Sequence, residues 1–269
     1  MRRIACATLL LAATAAVSPR EAEAKYCPRV LYRATRLVLV TVPNMQATEA
    51  SVRTFERNSP ATRWEPRGDA EPAVVSTRGI AWGDMYESLA KKGEPLKREG
   101  DQRAPAGIYR ISGTFGADAS KLVGYLPLVP AKQFCVEDAN LRYYGNIVAQ
   151  RIASEKKTSG EDIAKVPLSR LDLATNYPSR PKVQAGSCIF LHVWGAPETA
   201  TDARIVLPEE RVAFLQEWAA HRFAAIAIVS ADTVERYKGC LPRPDTAANS
   251  GDPVAVPLPV RKSAAKRAG

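Results

Sequence analysis

The chain has 269 residues, with 38 Lys and Arg against 28 Asp and Glu, a formal charge of +10. A composition of 46% hydrophobic and 25% charged residues is that of a globular protein and excludes a disordered chain, a collagen and a coiled-coil rod. Aromatic residues at 7% are too few for a stacking platform on single-stranded nucleic acid, and two histidines, His192 and His221, are too few for a His-rich metal site, so no metal and no cofactor is expected.

The first residues read as an export signal. Arg2 and Arg3 precede an apolar, Ala- and Leu-rich run over residues 4–17, Pro19 breaks it, and Ala22-Glu23-Ala24 is a small-x-small cleavage site. Residues 1–24 are therefore expected to be a signal peptide, with residues 25–240 as the folded domain and no stable membrane span. Export leaves Cys27, Cys135, Cys188 and Cys240, and four thiols in an oxidising compartment point to two disulfides. Three pairings are possible and the spacing does not choose among them. A Cys27–Cys240 bridge would tie the two ends of the domain together and leave Cys135 with Cys188.

The folded part reads as mainly β with a few short helices. Residues 37–42 form a β-branched run stopped by Pro43. Residues 51–57 alternate with the period of a half-buried strand, and residues 73–76 and 107–111 read as short strands bounded by turn residues. The charged stretch Lys97-Arg98-Glu99-Gly100-Asp101 mixes both signs and reads, on its own, as a solvated loop. Residues 187–194 are the most apolar run, the pattern of a strand at a sheet centre. A helix is expected over residues 208–221, opened by Pro208 and by Glu209 and Glu210 at the positive end of its dipole, with Val212, Leu215, Trp218 and Ala219 on one face. His221 at its end reads as structural. A second short helix is expected over residues 231–238. Residues 241–269 are rich in Pro, Ala and Ser and carry a small basic cluster between Arg261 and Arg267, so they are expected to be a disordered tail.

Several of these segments together resemble one family. Lys97-Arg98-Glu99-Gly100-Asp101 followed by Arg103-Ala104-Pro105-Ala106-Gly107-Ile108-Tyr109 resembles the K-x-E-G-D-x-x-T-P-x-G-x-F/Y segment of the L,D-transpeptidase catalytic (YkuD-type) domain. Gly186-Ser187-Cys188-Ile189-Phe190-Leu191-His192-Val193-Trp194 is similar to the G-S-C-I-F-L-H-V-W strand of one branch of that family. Gly79-Ile80-Ala81-Trp82-Gly83, Tyr125-Leu126-Pro127-Leu128, Cys135-Val136-Glu137-Asp138 and Tyr143-Tyr144 also resemble it, so the likeness runs over roughly residues 37–218. The resemblance implies a mostly β fold with a cleft, a periplasmic or cell-surface location and work on peptidoglycan stem peptides. It also implies a cysteine thiolate, activated by a neighbouring histidine, that forms a thioester and passes the acyl group to an amine or to water.

One element of that pattern is missing. The branch follows its F-L-H-V-W strand with P-T-A-G-C-T-A-M before the last helix. His192 matches the first element, but Glu198-Thr199-Ala200-Thr201-Asp202-Ala203-Arg204 stands in place of the second, with Arg204 where the cysteine belongs. A guanidinium stays charged and cannot accept an acyl group. Cys188 lies four residues before His192 on an expected strand, about 13 Å away at a rise of about 3.3 Å per residue, beyond nucleophile–base reach. Cys240 remains as a relocated thiol.

The reading that follows is an exported cell-wall protein, a catalytically impaired homologue that binds peptidoglycan stem peptides or another anionic envelope polymer, or regulates cross-linking. His192 is its retained family histidine, and Trp194 and Arg204 are its candidate binding residues, Arg204 offering a bidentate fork to a carboxylate. The competing readings are an active transpeptidase or peptidoglycan amidase with a relocated nucleophile, and an unrelated exported β protein. Nucleic acid is not an expected partner, because export and the lack of a clustered basic stripe argue against it.

Overall fold

A computed structural model of the protein describes residues 27–155, 160–166, 169–178, 184–195, 204–220 and 222–243. The expected signal peptide, His221 and residues 244–269 of the expected tail lie outside the described residues.

Apolar alternation and β-branched runs generate thirteen strands among the described residues. In chain order they are β1 (Arg36–Val42), β2 (Glu49–Glu56), β3 (Glu65–Val74), β4 (Ile80–Trp82), β5 (Ala104–Gly116), β6 (Leu126–Pro127), β7 (Gln133–Val136), β8 (Ile147–Ala149), β9 (Gly160–Asp162), β10 (Asp172–Thr175), β11 (Phe190–Val193), β12 (Ile205–Leu207) and β13 (Ala224–Ser230). Helix α1 (Gln150–Glu155) and helix α2 (Glu209–Ala220) are joined by a few 3-10 turns. The fold is mainly β with a few short helices, as its sequence pattern implies.

Strand β1 is buried on both faces, and its two edges pair antiparallel with β2 and parallel with β13. Strand β13 is buried throughout, the burial expected of an Ala, Ile and Val run covered on both faces. The thirteen-residue β5 is long enough to change partners. Its residues Gly107 to Arg110 pair with β13, and its later residues Ile111 to Phe115 pair with β10. The neighbours then run β10, β11, β12, β3, β2, β1, β13 and back to β5, so the sheet closes on itself as a barrel-like ring. Closure leaves the strands of the ring without free edges.

Helix α2 lies against this ring. Pro208 precedes it and Glu209 and Glu210 occupy its first turn, while Val212, Leu215, Trp218 and Ala219 are buried on the face expected from their spacing. Two polar residues are buried with them. Gln216 Nε2 donates to the carbonyls of Phe115 (3.0 Å) and Asp172 (2.9 Å), the residues that face each other where β5 meets β10. Arg211 pairs with Glu71 at 3.0 Å.

A second, smaller core of Phe115, Leu128, Cys135, Ile163, Cys188 and Phe190 lies between the ring and a three-stranded sheet of order β8–β7–β9. The Cys135–Cys188 disulfide joins that small sheet to the segment entering β11, and the Cys27–Cys240 disulfide joins the two ends of the described domain.

Three local expectations change. The strand expected over residues 187–194 is confined to Phe190–Val193, because Cys188 has φ +56°, which extended backbone does not accommodate. The second helix expected over residues 231–238 is a single 3-10 turn, Val234–Tyr237, closed by Lys238 in a left-handed conformation. Leu241, at the start of the expected tail, is buried in the main core beside Cys240.

Removing the Cys27–Cys240 bridge releases a loop of 213 residues. A Cys27→Ala/Cys240→Ala variant is expected to lose about 2–5 kcal/mol of unfolding free energy, read as a lower urea midpoint. Peptide mapping of the unreduced wild-type protein is expected to return only the 27–240 and 135–188 cross-linked pairs from these four cysteines.

Candidate functional site

Strands β10, β11 and β12 place the polar residues of the site. Asp172 pairs across β10–β11 with His192, and His192 pairs across β11–β12 with Val206. Side chains alternate along a strand, so Arg204, two residues before Val206, falls on the same face as His192. Phe190 is on that face too, with its ring edge-on to the imidazole at 5.8 Å and to Phe115 at 5.0 Å.

Asp172 and His192 are buried, at 0% and 1% exposure, and Oδ1 of Asp172 lies 2.5 Å from Nδ1 of His192. Burial pushes the Asp172 carboxyl above its ordinary range, against the opposing pull of the His192 imidazole, Ser169 and the Arg204 charge. The Asp172–His192 couple is a close contact without full hydrogen-bond geometry, and Nε2 of His192 has no partner among the described residues. A carboxylate that orients an imidazole through Nδ1, leaving Nε2 open, is the arrangement that histidine bases use to take a proton from a nucleophile.

Among the described residues no thiol stands ready to supply that proton. Cys27, Cys135, Cys188 and Cys240 are all in disulfides, which closes the relocated-cysteine routes through Cys188 and Cys240 while those bridges are intact. Arg204 is itself engaged. Its Nη2 lies 2.7 Å from both carboxylate oxygens of Glu161 on β9. The fork that was expected to receive a ligand's carboxylate therefore holds an internal one.

Arg204 borders a cavity of about 360 Å³ between the ring and the small sheet, with Lys97, Glu99, Glu137, Glu161 and Ser187 among its other lining residues. Glu137 forms no hydrogen bond among the described residues, and partial burial together with the negative Glu161 and Glu99 holds its carboxyl above the ordinary range, with Arg204 opposing. Glu99 accepts a hydrogen bond from the Tyr144 hydroxyl, which in turn accepts one from Gly186 N–H at 3.1 Å. Trp194 is half-buried two residues beyond His192, where its N–H donates to the Leu207 carbonyl at 2.9 Å, and it does not line this cavity.

The stretch from Lys97 to Asp101 is a turn with Arg98, Glu99 and Gly100 exposed, as its charge pattern implies, but Lys97 departs from that reading. Lys97 is 1% exposed, with its Nζ 2.5 Å from Asp101 Oδ1 and 2.6 Å from the Arg98 carbonyl. Gly186 makes room for it: with φ +99°, a Cβ there would sit 2.7 Å from the Lys97 ammonium. Asp172, Glu161 and the burial of Lys97 carry no signal in the local sequence. Each becomes visible only once strands distant in the chain are paired.

No family model matches the chain, and no curated protein matches it. Among solved structures it is similar to Bd1075 of Bdellovibrio bacteriovorus, with 16% identity and a TM-score of 0.37 over 77% of this chain and 54% of that one. It is also similar to the helical cell shape determining protein Pgp2 of Campylobacter jejuni, with 16% identity and a TM-score of 0.33 over 78% of this chain and 54% of that one. The chain spans about half the length of these two structures. At this level of likeness the functional reading rests on the site's own geometry.

The raised pKa of Asp172 has a definite sign for stability. The folded protein holds that proton more tightly than the unfolded chain, so the contribution is full at low pH and is lost as pH rises through the raised range. Asp172→Asn removes it. Urea midpoints measured from about pH 4 to about pH 7 are expected to fall less with rising pH in the variant than in the wild type.

Proposed function

We propose that the chain is an exported cell-wall protein with an L,D-transpeptidase-like domain that has lost thioester chemistry and binds peptidoglycan or regulates its cross-linking. The observation that carries this reading is the pairing of Arg204 with Glu161 beside an otherwise intact Asp172–His192 couple. A base and its orienting carboxylate are in place, and a charged guanidinium stands where the resemblance puts the acyl-accepting sulfur. Loss of the nucleophile removes most of the rate enhancement of such a site while leaving its binding surface.

Two further observations support it. Paired disulfides fit an oxidising, extracytoplasmic compartment, and no described helix is long and apolar enough to cross a membrane. The formal charge of +10 favours an anionic wall or envelope polymer as partner. A stem-peptide carboxylate that enters the Arg204 cavity competes with Glu161 for the guanidinium, which makes the ion pair a gate on recognition.

The test combines turnover with binding. Purified protein incubated with tetrapeptide muropeptides is expected to give no cross-link, exchange or cleavage product by mass spectrometry, yet to sediment with isolated sacculi. Arg204→Ala is expected to weaken that sedimentation and Glu161→Gln, which frees the guanidinium, to strengthen it. Turnover that His192→Ala abolishes would overturn the reading, as would a failure to bind sacculi.

A further inference from the structure

A second recess, sharing no lining residue with the Arg204 cavity, lies where the first 3-10 turn (Arg29–Tyr32), the 3-10 helix Asp84–Leu89, β5 and the start of β13 come together. It consists of two abutting cavities of about 630 Å³ and 530 Å³ that share Arg33, Arg110 and Phe223. Each is the size of a small-molecule site. Tyr86, Ile108 and Tyr237 are buried at the base of the larger one, and Met85, Leu89 and Phe223 present apolar surface at its sides.

The charge of this recess is one-sided. Arg29 borders the larger cavity, Arg222 borders the smaller, and Arg33 and Arg110 border both. No carboxylate lines either cavity among the described residues. Arg29, Arg33, Arg110 and Arg222 form no ion pair with a described carboxylate, and Arg33 lies over the Phe223 ring at 4.7 Å. Some other arginines are matched: Arg98 pairs with Glu87, Arg170 with Asp118 and Glu209, Arg204 with Glu161 and Arg211 with Glu71, and Arg236, which also lines the larger cavity, pairs with Glu94. Exposed like charges gathered along one recess repel one another through water only weakly, and a multivalent anion that enters the recess meets all of them.

We propose that this recess binds an amphipathic phosphate ester. A phosphomonoester carries about −1.5 to −2 charges and three acceptor oxygens, so it balances several guanidiniums where one carboxylate does not, and planar guanidiniums bind phosphate oxygens in pairs. The phosphate sits between Arg33 and Arg110, flanked by Arg29 and Arg222. The organic part of the ester lies over Met85, Leu89 and Phe223. The same chemistry is found in a membrane lipid and in a free phosphate ester, and the proposal is independent of the reading of the His192 site.

Calorimetric titration of the purified protein with dihexanoyl phosphatidate below its micelle concentration tests it. Saturable single-site binding is expected, with none for dihexanoyl phosphatidylcholine and much weaker binding of inorganic phosphate. Arg33→Glu and Arg110→Glu, both at exposed positions, are each expected to weaken phosphatidate at least about tenfold. Lys132→Glu, an exposed charge outside the recess, is expected to leave it unchanged. Thermal midpoints equal to wild type show that the variants fold. Sedimentation with phosphatidylcholine vesicles that contain phosphatidate, abolished by the two arginine variants, assigns the ligand to a membrane, and its absence alongside binding of the soluble phosphatidate assigns a soluble ester. No saturable phosphatidate binding, equal binding of the choline lipid or of inorganic phosphate, or unchanged affinity in both arginine variants would overturn the proposal.

Discussion

The change of partner along β5 is the constraint on which the rest of the structure depends. A shorter strand would pair with β13 alone and leave an open sheet. Because β5 continues past Arg110, its second half holds β10, and β10 in turn holds β11 and β12. Asp172, His192 and Arg204 stand on those three strands or at their ends, so the site exists only because the ring closes. Gln216 reinforces the junction from helix α2 by satisfying the carbonyls of Phe115 and Asp172 at once. An amide that bridges two strands in this way also fixes the register that sets Asp172 opposite His192.

The site and the phosphate recess embody opposite uses of charge. Around His192 nearly every charge has an internal partner: Asp172 with His192, Arg204 with Glu161, Lys97 with Asp101. Where such a contact is buried, as that of Asp172 and His192 is, it is a weak source of stability but strongly penalises the loss of one member, whereas Arg204 and Glu161 stay partly exposed. The recess near Phe223 leaves its guanidiniums unmatched at the surface, where water screens them cheaply and a ligand can replace that water.

The two disulfides divide the work in a similar way. Cys27–Cys240 joins the chain ends and restricts the unfolded chain, while Cys135–Cys188 fastens the small sheet that carries Glu161 to the segment leading into β11. The second bridge therefore holds the counter-charge of Arg204 in place. It also removes from chemistry the thiol nearest to His192 in sequence.

Much of the fold was legible along the chain, since β2 and α2 follow from a periodicity that one buried face imposes and β1 from a continuous β-branched run. The Ala, Ile and Val run of β13 is buried throughout, so it lacks the alternation that marks a half-buried strand. Cys188 misled because an apolar run looks like a strand whether or not its φ angles permit one. The sequence by itself determined that His192 lies in an apolar run and that no cysteine stands between Cys188 and Cys240. Only the tertiary structure decided what those residues meet. Asp172, Glu161 and the unmatched arginines at Phe223 come from segments far apart in the chain, and their chemistry depends on distances of a few ångströms that no local pattern encodes.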